Sequence, residues 1–179
     1  IVPKLDDRKR HMFIDLADPE KRENNEIKYA LDTLKKFKKA FKVTLGLNKK
    51  EAYDVANVLE LFDSASLSKM QISLEDLTEA LYQYLEIDTV VIHPVDRSCT
   101  MIAGTFYEAM GPYIAKPKLT TGAGDNFNAG FMLGLMLGLE PEEALLTGMA
   151  TSGFYVRKAK SPTFTELIEF LKEWAEDKI

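Results

Sequence analysis

Short apolar runs of strand length alternate with stretches of helical periodicity over the first two-thirds of the sequence. The clearest strand is 87–93, a β-branched run typical of a strand that helices cover on both faces. Further strands are predicted at 11–16, 41–47 and 99–103. Strands joined by helices in this order form βα units, so the pattern predicts a three-layer α/β/α fold with a mainly parallel sheet.

Helices are predicted between these strands and through the last third. Apolar residues from Ile27 to Phe41 have helical spacing, and the lysines among them are interpreted as a solvated helix face rather than a nucleic-acid patch. Residues 62–72 are expected to form a connection. The other predicted helices cover 48–61, 73–85, 122–139, 141–158 and a stretch that starts at Thr163.

The composition argues against several classes of partner. An apolar content of 46% over 179 residues is enough for one globular domain, while a net charge of −5 disfavours nucleic acid and anionic membranes. The apolar run 131–139 is far shorter than the ~20 residues that span a bilayer. A single cysteine, Cys99, and the separated His11 and His93 provide neither an internal disulfide nor a zinc cluster. With no secretory signal evident, a cytoplasmic location is expected.

The segment from Thr120 to Gly130, TTGAGDNFNAG, is the most informative for function. Small residues let backbone N–H groups approach an anion, and the helix that follows directs its first-turn amides and positive dipole end the same way. These features predict an anion hole for a transferring phosphoryl group. Asp125, in the first turn, is placed to accept the proton of a substrate hydroxyl. The alternative is a plain loop and helix start, with Asp125 only complementing the dipole; no Gly-Lys-Ser/Thr of a Walker A loop follows.

The same segment resembles the C-terminal signature of the PfkB, or ribokinase-like, carbohydrate kinase family, Asp-Thr-Thr-Gly-Ala-Gly-Asp-x-Phe. The resemblance implies that Asp125 is the catalytic base and that the amides of Gly122, Ala123 and Gly124 form the anion hole, with Thr121 beside them in the donor site. Leu119 replaces the leading aspartate of the signature, which affects loop geometry and any nearby monovalent cation site rather than the base.

A second segment, Asn48-Lys49-Lys50-Glu51, resembles the family's Asn-x-x-Glu motif. The resemblance implies that Asn48 contacts a nucleotide phosphate and that Glu51 holds Mg²⁺ largely through water. The alternative is that Asn48 caps a helix and Glu51 completes a capping box, and the two interpretations are compatible.

Other positions are less specific. His93 is interpreted as a packed or surface residue, with a phosphate contact as the alternative, and Asp15 and Asp18 as loop-capping residues rather than site residues. Met149 and Lys160 stand where relatives have other residues, so base contacts are not assigned. The glycines Gly130, Gly134 and Gly138 lie four apart and are expected to let one helix pack closely on its neighbours.

The resemblance implies a kinase that transfers the γ-phosphoryl group of ATP, with Mg²⁺, to an alcohol of a sugar or sugar-like molecule. It also implies that residues 1–179 are the C-terminal portion, since a complete member would have a comparable length of chain, with the sugar-binding residues and lid, before Ile1. Weak or no activity is therefore expected of these residues alone, together with an exposed sheet edge that favours a homodimer or pairing with the other half. A non-catalytic nucleotide-binding or interaction module is the alternative.

Overall fold

Five strands form one sheet whose spatial order follows the chain. The computed structural model describes residues 10–16 and 18–179. The strands are β1 (Arg10–Asp15), β2 (Phe41–Leu47), β3 (Thr89–Ile92), β4 (Arg97–Ile102) and β5 (Thr105–Met110).

The sheet is mixed rather than mainly parallel. β1 and β2 pair in parallel, as do β2 and β3, but β3 and β4 are antiparallel, with Ile92 opposite Cys99. Only residues 93–96 join β3 to β4, and a parallel crossover needs roughly a dozen residues or more. The α/β class is therefore confirmed. The predicted parallel pairing is present between β1, β2 and β3 and ends there.

Seven helices of at least five residues accompany the sheet within the described ranges. They are α1 (Asn24–Phe37), α2 (Lys49–Val58), α3 (Ser64–Ser68), α4 (Leu74–Leu85), α5 (Ala123–Leu137), α6 (Pro141–Lys158) and α7 (Phe164–Ala175). The predicted helices are confirmed to within a few residues, except that Phe41 belongs to β2. The predicted connection 62–72 contains α3, which Asp63 caps by accepting from the Ser66 amide at 2.9 Å.

Strand β5 was not predicted. It follows β4 through a two-residue turn at Ala103 and Gly104, whose φ angles are 51° and 78°. Turns of this kind match the twist of a hairpin but need residues that tolerate positive φ, so Asn-Gly or Gly-Gly is their usual sequence. Alanine at the first position makes the turn hard to recognise from sequence.

The described chain divides into two compact units. The first contains the residues up to Ile92 together with Cys99–Phe106, and the second contains His93–Ser98 and Tyr107–Ile179. In the first unit, α1, α2 and α4 pack against β2 and β3 around a core of fully buried aliphatic residues. This core includes Leu31, Val43, Leu45, Leu47, Val55, Leu77, Leu81 and Val90.

In the second unit, α5 and α6 pack closely because small residues face each other. A Cβ added at Gly130 would lie 2.7 Å from the Thr147 carbonyl oxygen, and one at Gly134 would lie 2.7 Å from the Ala144 Cα. The expectation of close packing is therefore confirmed for these two glycines. The expectation was wrong for Gly138, which ends α5 with φ of 76° and where an added Cβ would meet no other atom within 4 Å. Gly138 is needed for a left-handed helix cap rather than for packing.

Candidate functional site

The loop before α5 is shaped by a glycine in the left-handed conformation. Gly122 has φ of 88°, a conformation that residues with a Cβ rarely adopt. A Cβ there would also lie 2.9 Å from the hydroxyl of Tyr155, which donates to the Thr121 carbonyl at 2.8 Å. Tyr155 on α6 thus fixes the loop from one side, and only glycine fits at position 122.

Two amides of the first helical turn remain available to a ligand. The Ala123 amide donates to the Thr120 carbonyl at 3.0 Å, and the Asn126 amide begins the helical ladder at the Gly122 carbonyl, 3.1 Å away. Between them, the amides of Gly124 and Asp125 have no acceptor among the residues that the structure describes. Both lie at the positive end of the α5 dipole, which is where an anion is stabilised.

The carboxylate of Asp125 belongs to this same first turn and is exposed. It lies at the rim of an open groove that Ala129, Leu133 and Phe164 also line. A carboxylate next to free helix-terminal amides is suited to accept a proton while those amides stabilise negative charge on a reacting group.

On another side of the loop lies an apolar cavity of about 230 Å³. Thr120 and Ala123 of the loop border it, as do Met149 and Ser152 of α6. Its remaining lining includes Pro94, Val95, Pro112, Ile114, Phe127 and Val156. A flat, largely apolar group attached to an anion would fit such a cavity with its anionic end at the α5 amides.

His93 is a packed residue of this cavity wall. Its ring stacks on Phe127 with centroids 4.7 Å apart, and a Cβ on Gly124 would lie 3.3 Å from the His93 Cε1 atom. The Nε2 atom is buried. This packing supports the structural interpretation of His93 over a phosphate contact.

In the other unit, Asn48 and Glu51 form the capping box of α2. The Glu51 amide donates to Asn48 Oδ1 at 2.9 Å, and the Asn48 amide donates to Glu51 Oε2 at 2.8 Å. Burial raises the pKa of the Glu51 carboxyl, and the negative charges of Asp15 and Asp18 add to this increase. The Glu51 residue as a whole is only 8% exposed, so a nearby cation would relieve an unfavourable charge.

The remaining predicted positions have local roles. Asp18 pairs with Lys21 at 2.6 Å, in agreement with a loop role, and Lys160 pairs with Glu166 at 2.6 Å. Leu119 is exposed just before the loop. No group of three or more His, Cys, Asp or Glu side chains able to hold a metal occurs in the described ranges 10–16 and 18–179. No helix in those ranges is long and apolar enough to cross a bilayer.

Sequence reasoning missed two residues of this site. Tyr155 is 34 positions away from the Thr121 carbonyl that it binds, and nothing in the sequence connects the two. Arg157 donates to the carbonyls of Gly153 and Tyr113, at 3.0 and 3.2 Å, and so holds the segment that borders the cavity. Burial lowers the pKa of this guanidinium.

Comparison with known proteins gives a consistent assignment. The sequence model of the prokaryotic ketohexokinase family matches residues 1–174. A ketohexokinase from Haloferax volcanii is 27% identical over 168 residues, which are 94% of this chain and 43% of that protein.

Solved structures show the same fold. The ribokinase from Thermotoga maritima superposes with a TM-score of 0.64 at 20% identity, over 90% of this chain and 49% of that chain. The ribokinase from Cryptococcus neoformans in complex with ADP superposes with a TM-score of 0.59 at 18% identity, over 89% and 60%. The five-stranded mixed sheet with its helices is thus a ribokinase-like α/β fold. The chain spans about half the length of these relatives.

Proposed function

This chain belongs to the prokaryotic ketohexokinase family, and from that premise we propose that it is the C-terminal, nucleotide-binding and catalytic portion of a sugar kinase. The reaction transfers the γ-phosphoryl group of ATP to an alcohol of a sugar or sugar-like substrate. The observation that carries the proposal is the start of α5, where the free amides of Gly124 and Asp125 and the Asp125 carboxylate share one helical turn, and Ala123 of the same turn borders the apolar cavity.

The residues of this loop have separate roles in the proposed reaction. Asp125 accepts the proton of the attacking hydroxyl, and the Gly124 and Asp125 amides hold the transferring phosphoryl group. Of the amides predicted for this hole, that of Ala123 instead donates to the Thr120 carbonyl. Gly122 and Ala123 are therefore proposed to form the tight turn that aims the free amides, with Thr121, whose carbonyl accepts from Tyr155, beside them in the donor site. The adenine base is proposed to occupy the apolar cavity. That a relative was solved in complex with ADP supports an adenine nucleotide as the donor.

Asn48 and Glu51 are proposed to serve the donor phosphates and Mg²⁺. Magnesium in kinases is bound by one or two carboxylates together with phosphates and water. The buried carboxylate of Glu51, whose pKa is raised, meets that requirement as a single protein ligand. The described residues contain no cluster of three ligands that would bind a metal without phosphates. Glu51 would hold the ion through water, and the ion would offset charge on the phosphates. From the family resemblance we also propose a monovalent cation near the α5 loop.

Calorimetric titration of the chain with a non-hydrolysable ATP analogue and Mg²⁺ tests donor binding. Gly124→Asp places a carboxylate among the free amides and is expected to weaken binding about tenfold or more, or ~1.4 kcal/mol. Gln83→Asp adds the same charge to an exposed position of α4 and is the matched control. Equal binding by both variants would contradict the anion hole.

The role of Asp125 is tested by Asp125→Asn in a chain joined to a sugar-binding portion. Loss of the base is expected to lower kcat by about 10²- to 10⁴-fold while donor affinity is retained. A non-catalytic nucleotide-binding module is the alternative, because the chain spans only about half the length of its relatives. That alternative would be supported if donor binding were present but no joined chain gave turnover that depends on Asp125.

A further inference from the structure

One wall of the apolar cavity is a stretch without helix or strand, residues 112–117, which we call the wall segment. Pro112, Tyr113, Ile114 and Pro117 of this segment border the cavity. Pro112 and Ile114 are half-buried, whereas the other residues of the segment are exposed. The wall segment therefore has little packing of its own, although the shape of the cavity depends on it.

The hydrogen bonding of the wall segment depends on Arg157 of α6. The Tyr113 amide donates locally to the Gly111 carbonyl at 2.9 Å, and the Tyr113 carbonyl accepts from the Arg157 guanidinium at 3.2 Å. Within the part of the chain that the structure describes, residues 112–117 form no other hydrogen bond. Arg157 thus provides the hydrogen bond that joins the wall segment to another element.

The two residues before Arg157 hold the chain that follows the wall segment. The Val156 carbonyl accepts from the Lys118 amide at 2.8 Å, and the Tyr155 hydroxyl donates to the Thr121 carbonyl at 2.8 Å. These contacts fix the stretch between the wall segment and α5. They do not involve residues 112–117, so the two parts of the loop are held by different residues of α6.

Gly153 lets the wall segment lie directly against the backbone of α6. Gly153 and Arg157 are four positions apart and so lie on the same side of the helix. A Cβ added at Gly153 would lie 2.6 Å from the Pro112 Cγ atom and 3.5 Å from the Arg157 Nη1 atom. The Pro112 ring can therefore approach this closely only because residue 153 has no side chain.

The Arg157 guanidinium is placed at this point against an electrostatic cost. Burial lowers its pKa, and no carboxylate of the described residues offsets its charge. An apolar side chain of similar length would fill the space without that cost. What the guanidinium adds is its contacts, namely the bonds to the Tyr113 and Gly153 carbonyls and a position 5.6 Å from the Phe170 ring centre.

We propose that Arg157 is a positioning residue for the base of the nucleotide donor, an inference that rests on the proposed function. Arg157 holds the wall segment in place before the donor binds, so that binding does not have to order the segment. Tyr155 and Val156 hold the rest of the loop independently. Loss of Arg157 should therefore weaken the binding of the base and leave the binding of the phosphates unchanged.

Calorimetric titration of the chain with two ligands in the presence of Mg²⁺ tests the proposal. A non-hydrolysable ATP analogue contains the base, and inorganic tripolyphosphate has three phosphates without it. Arg157→Met is expected to weaken binding of the ATP analogue about three- to tenfold, because binding must then order the wall segment. Tripolyphosphate binding should not change. Lys158→Met removes the same charge from the next, exposed position and is the matched control, for which neither affinity should change.

Gly153→Ala is a second variant, because its methyl group displaces Pro112 without removing a charge. It should also weaken binding of the ATP analogue and leave tripolyphosphate binding unchanged. Wild-type affinity of Arg157→Met for the ATP analogue, or an equal loss for both ligands, would overturn the proposal. If Arg157→Met does not fold, wild-type affinity of Gly153→Ala for the ATP analogue would overturn it instead.

The wild-type titrations separate this proposal from the proposed function. If wild type prefers the ATP analogue to tripolyphosphate and Arg157→Met keeps the same preference, the role of Arg157 is contradicted and the proposed function stands. If wild type binds neither ligand, or binds the ATP analogue no better than tripolyphosphate, the proposed base site is contradicted and the role of Arg157 with it.

Discussion

The hydroxyl of Tyr155 lies against Gly122, at the point where a side chain on that residue would begin. The same hydroxyl donates to the neighbouring Thr121 carbonyl at 2.8 Å. The shape of the loop before α5 therefore depends on a residue of α6 that lies far away in the sequence.

We expect Gly122→Ala to destabilise the loop through both backbone and steric effects. A residue with a Cβ at positive φ costs about 1–2 kcal/mol, and the Tyr155 hydroxyl must move as well. Tyr155→Phe alone should cost ~0.5–1.5 kcal/mol through the lost hydrogen bond. Urea denaturation of both single variants and of the double variant measures the coupling. Strict additivity would contradict the direct contact.

Two glycines of α5 should differ in their tolerance of alanine. Gly134→Ala forces a methyl group against the Ala144 backbone and should destabilise the fold by about 1–3 kcal/mol. Gly138→Ala adds a methyl group that contacts no other atom. It should lower the free energy of unfolding only by the cost of a positive φ, ~1 kcal/mol. Thermal or urea denaturation ranks the two. A larger loss at Gly138 would contradict the packing described for Gly134.

The ionisation of Glu51 should reduce stability as the pH rises. Its folded-state pKa is raised above the ordinary 4.5, mainly by burial, so the protonated form favours folding. The stabilisation is complete below about pH 4.5 and is lost as the pH rises through the raised pKa. Glu51→Gln should therefore gain stability relative to wild type on going from about pH 4 to about pH 7. The exposed Glu79→Gln is the control, and an equal gain there would contradict the assignment.

Glu166 should titrate far below an ordinary glutamate. The hydrogen bond from Lys160, followed by those from the Thr163 amide and hydroxyl, lowers its pKa to about 2. Any stability that it contributes is present above its ordinary pKa of 4.5 and is lost as the pH falls towards about 2. Lys160→Met should raise the Glu166 pKa, as measured by NMR titration of the side-chain carboxyl. An unchanged pKa would mean that the Thr163 contacts alone suffice.

Filling the apolar cavity should separate base binding from phosphate binding. Ser152→Phe places an aromatic ring in the cavity and should weaken binding of an ATP analogue. Binding of pyrophosphate, which has no base to place in the cavity, should be unchanged. Calorimetric titration with both ligands measures this difference. The exposed Thr165→Phe on α7 is the control. Equal loss for both ligands would place the base elsewhere.

The sequence predicts the helices of this chain better than its sheet. The N-cap residues Ser73 and Thr163 and the first-turn Pro141 mark helix starts locally, and the structure places the helices where they indicate. The reversal at β4 was missed, although the short interval 93–96 between β3 and β4 was a signal against a parallel crossover. β5 had no such signal, since its turn uses Ala103 at positive φ.

For the site, the α5 loop could be identified from its small residues and from the family resemblance. The contacts that hold it could not, because Tyr155 and His93 reach the loop only through the packing of separate elements. The capping box of Asn48 and Glu51 was predicted and is present, and it leaves the phosphate and metal roles of these residues as proposals.

The glycine contacts between α5 and α6 also bear on which parts of the proposed site can move relative to each other. With backbone against backbone at Gly130 and Gly134, neither helix has room to slide or rotate past the other. We therefore expect Asp125, the loop amides and Tyr155 to keep one fixed arrangement. Any closure in the proposed reaction would then bring substrate to a preassembled site rather than assemble the site around the substrate.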